Sequence, residues 1–507
     1  MRMPSSWFPP RLRRASSGST TTENMSKDTR KILTKSAIIL AVISLLVVYE
    51  SHAQEGWKPV GMPPVGEKEI FYPPHFVRDT LSHGLQVIYV RANDIPTFEC
   101  SLIIHAGAQC ELPDGKGTAH LASRMVMAGT MDKDVDELAR IMAANGARIS
   151  ANAEYEYTEI ELISLEQTFP ATLEAFVEII TNPAFNQKSY EHHLDKALTN
   201  LKSSASNPSD NTSITMLKRL CGEESALSRL KYGELNVTKD LMLEDVRAFY
   251  NKHYVPNNAT FLIAGNVEYE AIRNLLEQRF ASWKSKGASG CPSLTCGVDE
   301  ERISIIEANT DELAIIRIGY ETVPRSSEDF PALLLMNEIL GGQRAARLGR
   351  KFWGENVLSP SFLSVLSFQA ETGYMVISGS VPAKYIDTAF ALIDETLETI
   401  MTEPVEDAEL GYAKNIYTGY YDLNFSTKNR VLDELAEVVA NNVTYDQYMN
   451  AERRLLDVTK EDIQGIAKKI FRQPRAVVIR GNARTFISRL RQRYGDIVSV
   501  AGTEGEK

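Results

Sequence analysis

Residues 243–266 read LEDVRAFYNKHYVPNNATFLIAGN, and residues 460–482 read KEDIQGIAKKIFRQPRAVVIRGN. In both segments the first residue is followed by Glu, Asp and a β-branched residue, and then by apolar residues at helical spacing. A turn containing a proline follows, then a β-branched run typical of a buried strand, and both segments end in Gly-Asn. The recurrence of this order of elements indicates two copies of one domain.

A second pair of segments supports the duplication. FVEIITNP at 176–183 resembles LETIMTEP at 397–404, and each closes an apolar-periodic helix. Strands are predicted at 84–92 and 98–108, and the alternating run ARISANAEYEYTEIELISL at 147–165 predicts a hairpin. Helices interleaved with these strands predict an α+β layer used twice.

The repeat sets the predicted domain limits. They are an extended arm at 54–75, a first domain at 76–284, a linker at 285–302, a second domain at 303–490 and a tail at 491–507.

The first 53 residues are not assigned to the fold. From Met25 the chain has a basic stretch, an apolar run at 36–48 and a small-residue site before Gln54, which is the pattern of a signal peptide. Residues 1–24 are then an upstream extension, with an organelle transit peptide as the alternative. We therefore predict an exported protein, periplasmic in a double-membraned bacterium, with contact to a membrane only if this segment stays uncleaved as an anchor.

The net charge and the cysteine content restrict the kinds of partner and the cellular compartment that fit this chain. The net charge is −11 without a long basic run, which argues against nucleic acid as a partner. Five cysteines leave at least one thiol unpaired, and export permits disulfides among the others. Cys291 and Cys296 are close enough in sequence to close a small loop. They are not a zinc pair, because no second Cys/His pair at metal spacing accompanies them.

Residues 117–130, GTAHLASRMVMAGT, are followed by Asn-Gly-Ala at 145–147 and by SANAEYEYTEIEL at 150–162. In this order the segments resemble the M16 peptidases, the family of pitrilysin, insulysin and the mitochondrial processing peptidase. LLMNEILGGQRAARLGRKFWGEN at 334–356 resembles the family's C-terminal Gly-Gly-x-x-x-x-Arg-Leu segment. The resemblance implies two homologous α/β-layer domains, LuxS/metallohydrolase-like, that form one half-shell of a peptide-holding chamber.

Active members of that family carry the inverted zinc motif His-x-x-Glu-His, in which two His residues bind zinc and the Glu is the general base. The matching residues here are His120, Ser123 and Arg124. A hydroxyl at the base position does not take a proton from water at useful rates, and a guanidinium has no lone pair for a metal. The motif is therefore degenerate, and we predict no catalytic residue and no metal ligand in this chain.

The distal zinc ligand of the family is also missing. Counting back from Asn207-Pro208 puts Thr199 or Asn200 at the position where the family has a Glu. We expect no cofactor in this chain, and zinc only in a partner chain. His105 and the pair His192-His193 are the other candidates for metal binding, but adjacent His residues point to different sides of a helix and favour an ordinary exposed pair.

The opposite half-shell of active M16 assemblies contributes an Arg and a Tyr to the substrate site. The resemblance places these positions on Trp353 and Pro360, and Arg350 or Tyr374 is the substitute if the alignment slips. Trp and Pro do not supply the donors of that Arg/Tyr pair. These two residues therefore argue against the prediction that this chain supplies the Arg/Tyr pair to a partner.

Of the family's functions, the resemblance still implies one for this chain, which is the binding of a peptide through backbone hydrogen bonds. Ala151, Asn152, Ala153, Glu154 and Tyr155 match the family's chamber edge strand, to which an extended peptide adds by β-pairing. A fully paired internal strand is the alternative. We predict a non-catalytic M16 subunit that closes a chamber with a zinc-bearing partner chain. A stand-alone scaffold or self-dimer is the second hypothesis, and a zinc peptidase with a displaced site is the third.

Overall fold

The structure is a computed structural model that describes residues 70–92, 95–111, 115–287, 290–308 and 312–501. The predicted extension, signal peptide and most of the arm, residues 1–69, lie outside these ranges, as does the end of the tail. In the described ranges, no helix combines the length and apolar character needed to cross a membrane.

The first half of the chain forms a six-stranded sheet in the order β1-β2-β6-β3-β5-β4. Its strands are β1 (Phe76–Thr80), β2 (Gln86–Arg91), β3 (Thr97–Ile104), β4 (Arg148–Ala153), β5 (Thr158–Leu165) and β6 (Ala259–Gly265). β2 and β6 are parallel, and the other neighbours are antiparallel. Every residue of β6 is buried, because helices cover both faces of this central strand.

The second half repeats this arrangement in the order β12-β7-β11-β8-β10-β9. Its strands are β7 (Arg302–Glu307), β8 (Leu313–Thr322), β9 (Leu363–Phe368), β10 (Gly373–Pro382), β11 (Ala476–Gly481) and β12 (Val498–Ala501). β7, β11, β8, β10 and β9 correspond in order and direction to β2, β6, β3, β5 and β4. The predicted fold class, α+β with two homologous domains, is confirmed.

Helices connect the strands of each half. In the first half they are α1 (Thr118–Val126), α2 (Val135–Ala144), α3 (Phe169–Thr181), α4 (Gln187–Ala205), α5 (Pro208–Cys221), α6 (Leu235–Thr238), α7 (Leu243–His253) and α8 (Tyr269–Arg279). In the second half they are α9 (Phe330–Asn337), α10 (Arg347–Gly349), α11 (Ile386–Thr402), α12 (Asp407–Asn424), α13 (Lys428–Ala440), α14 (Tyr445–Met449), α15 (Ala451–Asp457), α16 (Lys460–Phe471) and α17 (Ile487–Tyr494).

Side-chain caps account for several helix starts. Asp134 accepts from the N–H of Glu137 at the start of α2, and Asn186 accepts from the N–H of Ser189 at the start of α4, both at 2.8 Å. Thr459 and Asp462 form a capping box at the start of α16. These side chains pair N–H groups that have no partner within the helix.

One helix of each half packs on the sheet of the other half. α13 of the second half covers one face of the first sheet, with Leu432 and Leu435 against Ile88 and Leu262. α5 of the first half covers the second sheet, with Met216 and Leu220 against Val478. Because each sheet needs a helix from the other half to bury its second face, the two predicted domains form one interdependent unit.

Two predictions, one on the linker cysteines and one on the tail, need correction. Cys291 is bonded to Cys110 and Cys296 to Cys221, so the linker cysteines do not close a loop with each other, and each ties the linker to the first half. The predicted tail from 491 also contributes to the fold, since α17 ends at Tyr494 and β12 pairs in parallel with β7.

Candidate functional site

α1 carries the three motif positions and starts from a tightly packed backbone turn. Gly117 has a φ of 79°, and a Cβ at this position would lie 2.2 Å from the carbonyl oxygen of Tyr232. The carboxylate of Glu111 accepts from the N–H of Gly117 at 2.7 Å and from that of Ala119 at 2.8 Å. Burial raises the pKa of Glu111 to about 7. Glycine and glutamate together hold the first turn of α1 in place.

The motif side chains have distinct partners. Ser123 is fully buried, and its Oγ donates to the carbonyl oxygen of His120 at 2.7 Å. Arg124 lies one turn after His120 on the same side of α1, and its Nη1 donates to the carbonyl oxygen of Ala151 in β4 at 3.0 Å. The guanidinium therefore links α1 to β4.

Basic side chains act on His120. Its ring lies 5.9 Å from that of Tyr232, centroid to centroid. Burial lowers the pKa of His120 to about 4, so the imidazole is neutral at pH 7. Four further side chains add to this shift: Arg124, Lys231, His193 and Lys196. We call these four side chains with His120 the basic cluster.

Among the described residues, one carboxylate forms an ion pair with the basic cluster. Glu154 Oε1 lies 2.6 Å from Nζ of Lys231, while Arg124 and Lys196 have no ion pair with any Asp or Glu in those ranges. His120, Arg124 and Lys231 are half-buried and Lys196 is exposed. The cluster is thus a partly open site with excess positive charge.

The predicted edge strand is shorter than expected. β4 pairs only with β5 and forms one edge of its sheet, with Ala151 opposite Ile160. It ends at Ala153, because Glu154 and Tyr155 belong to the turn that leads to β5.

The backbone of that turn is already bonded. The carbonyl of Glu154 accepts from the N–H of Ala108 at 2.9 Å, and that of Tyr155 accepts from the N–H of Gln109 at 2.8 Å. The Tyr155 hydroxyl donates to the carbonyl of Arg229 at 2.9 Å. A peptide would therefore have to pair with residues 148–153.

Two family models match the chain. The model described as Insulinase (Peptidase family M16) matches residues 86–228, and the model described as Peptidase M16 inactive domain matches residues 240–417. The chain belongs to peptidase family M16.

Relatives of this M16 chain are distant but nearly full-length. The uncharacterized zinc protease YmxG of Bacillus subtilis is 21% identical over 79% of this chain and 97% of its own length. The zinc protease PqqE of Helicobacter pylori is 21% identical over 80% of this chain and 93% of its own length.

Solved structures show the same fold. The peptidase M16 inactive domain from Pseudomonas fluorescens superposes with a TM-score of 0.74 at 20% identity and covers 80% of this chain and 98% of its own. A protease from Helicobacter pylori gives a TM-score of 0.73 at 19% identity, over 81% of this chain and the whole of its own.

The M16 zinc positions of this chain do not fit a zinc ion. His120 offers one imidazole, but the guanidinium of Arg124 occupies the second position, where its charge repels a cation. Thr199 and Asn200, the candidate distal positions, are exposed on α4 and carry no carboxylate. Ser123 donates its proton within α1 and stands where the family has a base.

Within the part of the chain that the structure describes, no other histidine forms a metal site with His120. The Nε2 of His105 lies 2.9 Å from Thr260 Oγ1, and burial lowers the pKa of His105. His192 is exposed, whereas His193 is half-buried and belongs to the basic cluster. The expectation of two exposed histidines is therefore wrong for His193.

One further group of possible metal ligands occurs in the described ranges. Cys110, His253 and Cys291 have ligand atoms within 4.8 Å of one another. The two sulfurs are bonded to each other as a disulfide, so neither is a thiolate that would bind a metal.

The M16 positions for the substrate-orienting pair hold a Trp and a Pro in this chain. Trp353 and Pro360 are exposed on the surface after α10. Arg350 is paired with Glu409 at 2.9 Å. Tyr374, in β10, packs beside Tyr155, and burial raises the pKa of Tyr374. Arg350 is thus an exposed arginine with one ion-pair partner, and Tyr374 is a partly buried tyrosine.

Sequence reasoning missed Lys196, Lys231 and Tyr232. Lys196 could have been found, because His193, Lys196 and Asn200 recur at helical spacing and therefore lie on one side of α4. Lys231 and Tyr232 lie between elements, where periodicity carries no information about neighbours.

Proposed function

We propose that this chain is a non-catalytic subunit of an M16 peptidase. It binds extended peptide along β4 and closes the chamber of a zinc-bearing M16 chain. The observation that carries the proposal is the hydrogen bond from Arg124 to the carbonyl of Ala151. This bond supports the proposal because a permanent cation tied to β4 at the family's second ligand position, with a Ser at the base position, is unsuited to zinc-dependent hydrolysis.

Peptide binding is supported by the exposed edge of the first sheet. β4 is an edge strand, and its Arg148, Ser150 and Asn152 side chains are exposed. Unpaired backbone groups on such an edge accept an added strand whatever its side chains are.

Export is part of the proposal and is supported by the cysteines. Two disulfides, Cys110–Cys291 and Cys221–Cys296, suit an oxidising compartment such as the periplasm. The signal-like segment before Gln54 agrees with the same location.

The test compares the pure chain, a zinc-bearing M16 chain from the same source, and their mixture. We expect no stoichiometric zinc and no cleavage of a quenched fluorescent peptide library by the pure chain. The mixture forms a complex on size-exclusion chromatography, and its chelator-sensitive cleavage exceeds that of the zinc-bearing chain alone. Stoichiometric zinc with chelator-sensitive cleavage by the pure chain contradicts the proposal.

The same experiment separates the scaffold alternative. An inert self-dimer that forms no complex with any zinc-bearing M16 chain of its source would favour a stand-alone scaffold.

A further inference from the structure

We propose that the basic cluster is an anion site that holds a carboxylate of the peptide bound along β4. The inference rests on the proposed function, since it names the class of peptide that β4 selects. The ligand is either an acidic side chain or the C-terminal carboxylate of an extended peptide.

Arg124 supplies the first argument. A guanidinium has five N–H donors, and the described contact with Ala151 uses one nitrogen, Nη1. No Asp or Glu of the described ranges forms an ion pair with Arg124. The remaining donors are available for the two oxygens of a carboxylate, which guanidinium binds in a bidentate manner.

The position of Arg124 supplies the second argument. Because its guanidinium touches the backbone of the edge strand, a peptide pairing with 148–153 passes directly beside it. Lys231 lies at the end of the same strand, held by Glu154. Both cations are thus placed along the path of an added strand.

The electrostatic surroundings supply the third argument. The chain carries a net charge of −11, yet the permanent charges that act most strongly on His120 are the cations Arg124, Lys231 and Lys196. A concentration of positive charge on an acidic protein attracts anions to that place. A cation-binding pocket has been replaced by one with the opposite preference.

The contact between Arg124 and Ala151 also predicts an asymmetry between peptides. It occupies one backbone acceptor of β4, so a neutral peptide gains nothing from the arginine and competes with it. An acidic peptide gains an ion pair instead. Removing the guanidinium therefore weakens binding of acidic peptides and leaves neutral peptides unchanged or slightly tighter.

The experiment uses the pure chain and fluorescein-labelled peptides of about ten alternating Val and Ser residues. Four peptides carry a central Glu or Gln and a free or amidated C-terminus, and anisotropy gives their affinities at low and high salt. We expect at least one carboxylate form to bind about 10-fold more tightly than the neutral peptide at low salt, with the preference reduced at high salt.

Variants assign the preference to the cluster. Arg124→Gln abolishes it, Arg124→Lys restores part of it, and Lys196→Gln reduces it. Lys202→Gln is the matched control, because Lys202 is exposed on the same helix and helical spacing turns it about 120° away from Lys196. Equal affinity of the four peptides for the wild-type chain overturns the anion site while supporting peptide binding.

A second measurement makes the site testable without a peptide. Acetate is titrated while the ring resonances of the histidines are followed by NMR, with His120 assigned through His120→Gln. We expect acetate to shift the His120 resonance in the wild type but not in Arg124→Gln. If no peptide binds and acetate still shifts this resonance, the proposed function fails and the anion site stands. An unmoved resonance in the wild type overturns the anion site.

Discussion

The guanidinium of Arg124 donates a hydrogen bond of 3.0 Å to the carbonyl oxygen of Ala151, and this bond joins α1 to the edge strand β4. In a zinc-bearing M16 chain the same helical position presents an imidazole to the metal. Here the helix is tied to the strand by a fixed cation. The arginine therefore stands at the family's ligand position and forms a structural link in this chain.

The alignment with the zinc motif predicts how a metal site is rebuilt. Arg124→His combined with Asn200→Glu gives His120 a second imidazole and a carboxylate on α4, which is the family's ligand set. We expect about one zinc per chain by elemental analysis after dialysis, and no hydrolysis, because Ser123 still stands at the base position.

Two controls accompany this variant. Arg124→His alone lacks a third protein ligand and is expected to hold zinc weakly. Arg124→His with Lys202→Glu also adds one carboxylate to α4 but on the far side from Asn200, so it should also bind weakly. Equal zinc content in all three variants would show that the distal position is misassigned, and Thr199→Glu is then the next variant.

The order of helices and strands was predictable from the sequence, but the packing of one helix of each half on the other half's sheet was not. Period and β-branched content placed β2, β3 and β6 and the hairpin of β4 and β5, because these segments are buried at regular intervals. The same periodicity in α5 and α13 shows that each buries one face, without indicating on which sheet. The pairing of Cys110 with Cys291 depends on that three-dimensional arrangement in the same way.

At the site, residue chemistry was sufficient to exclude zinc, since neither a guanidinium nor a hydroxyl replaces the missing groups. It was insufficient to find the basic cluster. Lys231 and Tyr232 approach His120 from a loop that follows α5 by several residues, and Lys196 from α4. Contacts between elements far apart in sequence leave no periodic signal in a single chain.

Glu111 is predicted to be essential for the start of α1. Its buried carboxylate accepts from the N–H groups of Gly117 and Ala119. Glu111→Ala leaves both buried donors unpaired, and we expect the free energy of unfolding to fall by about 2–4 kcal/mol. Glu111→Gln keeps one acceptor and should lose less. Urea titration measures both, with the exposed Glu223→Ala as a control, and a loss below about 0.5 kcal/mol for Glu111→Ala would contradict the role.

The disulfide pairing predicts the thiol count. With Cys110–Cys291 and Cys221–Cys296 formed, Cys100 is the single free thiol of the five cysteines. Cys100 is 2% exposed, so we expect almost no reaction with Ellman's reagent in the native chain and about one thiol per chain in denaturant. Cys100→Ala should abolish that signal. Three or more thiols in the oxidised chain would show that a bridge is absent.

Removing a bridge should also destabilise the chain. The Cys221–Cys296 pair connects α5 to the linker, and the double variant to Ser is expected to lose about 2–5 kcal/mol of unfolding free energy. Cys100→Ala, which breaks no bridge, is the reference variant in the same denaturation series.

Glu159 predicts a pH dependence of stability. It lies half-buried in β5, where burial raises its pKa to about 7, with the negative charges of Glu161 and Asp433 adding to the shift. A carboxyl whose folded-state pKa exceeds the unfolded value of 4.5 contributes most stability below pH 4.5, and that contribution is lost as the pH rises through 7.

The variant Glu159→Gln stays neutral at every pH. We therefore expect the stability of the variant relative to the wild type to increase by about 1–2 kcal/mol between pH 5 and pH 8. Urea titrations at pH 5, 6.5 and 8 test this, with the exposed Glu398→Gln as control, and a relative stability that stays constant or falls over this range would contradict it.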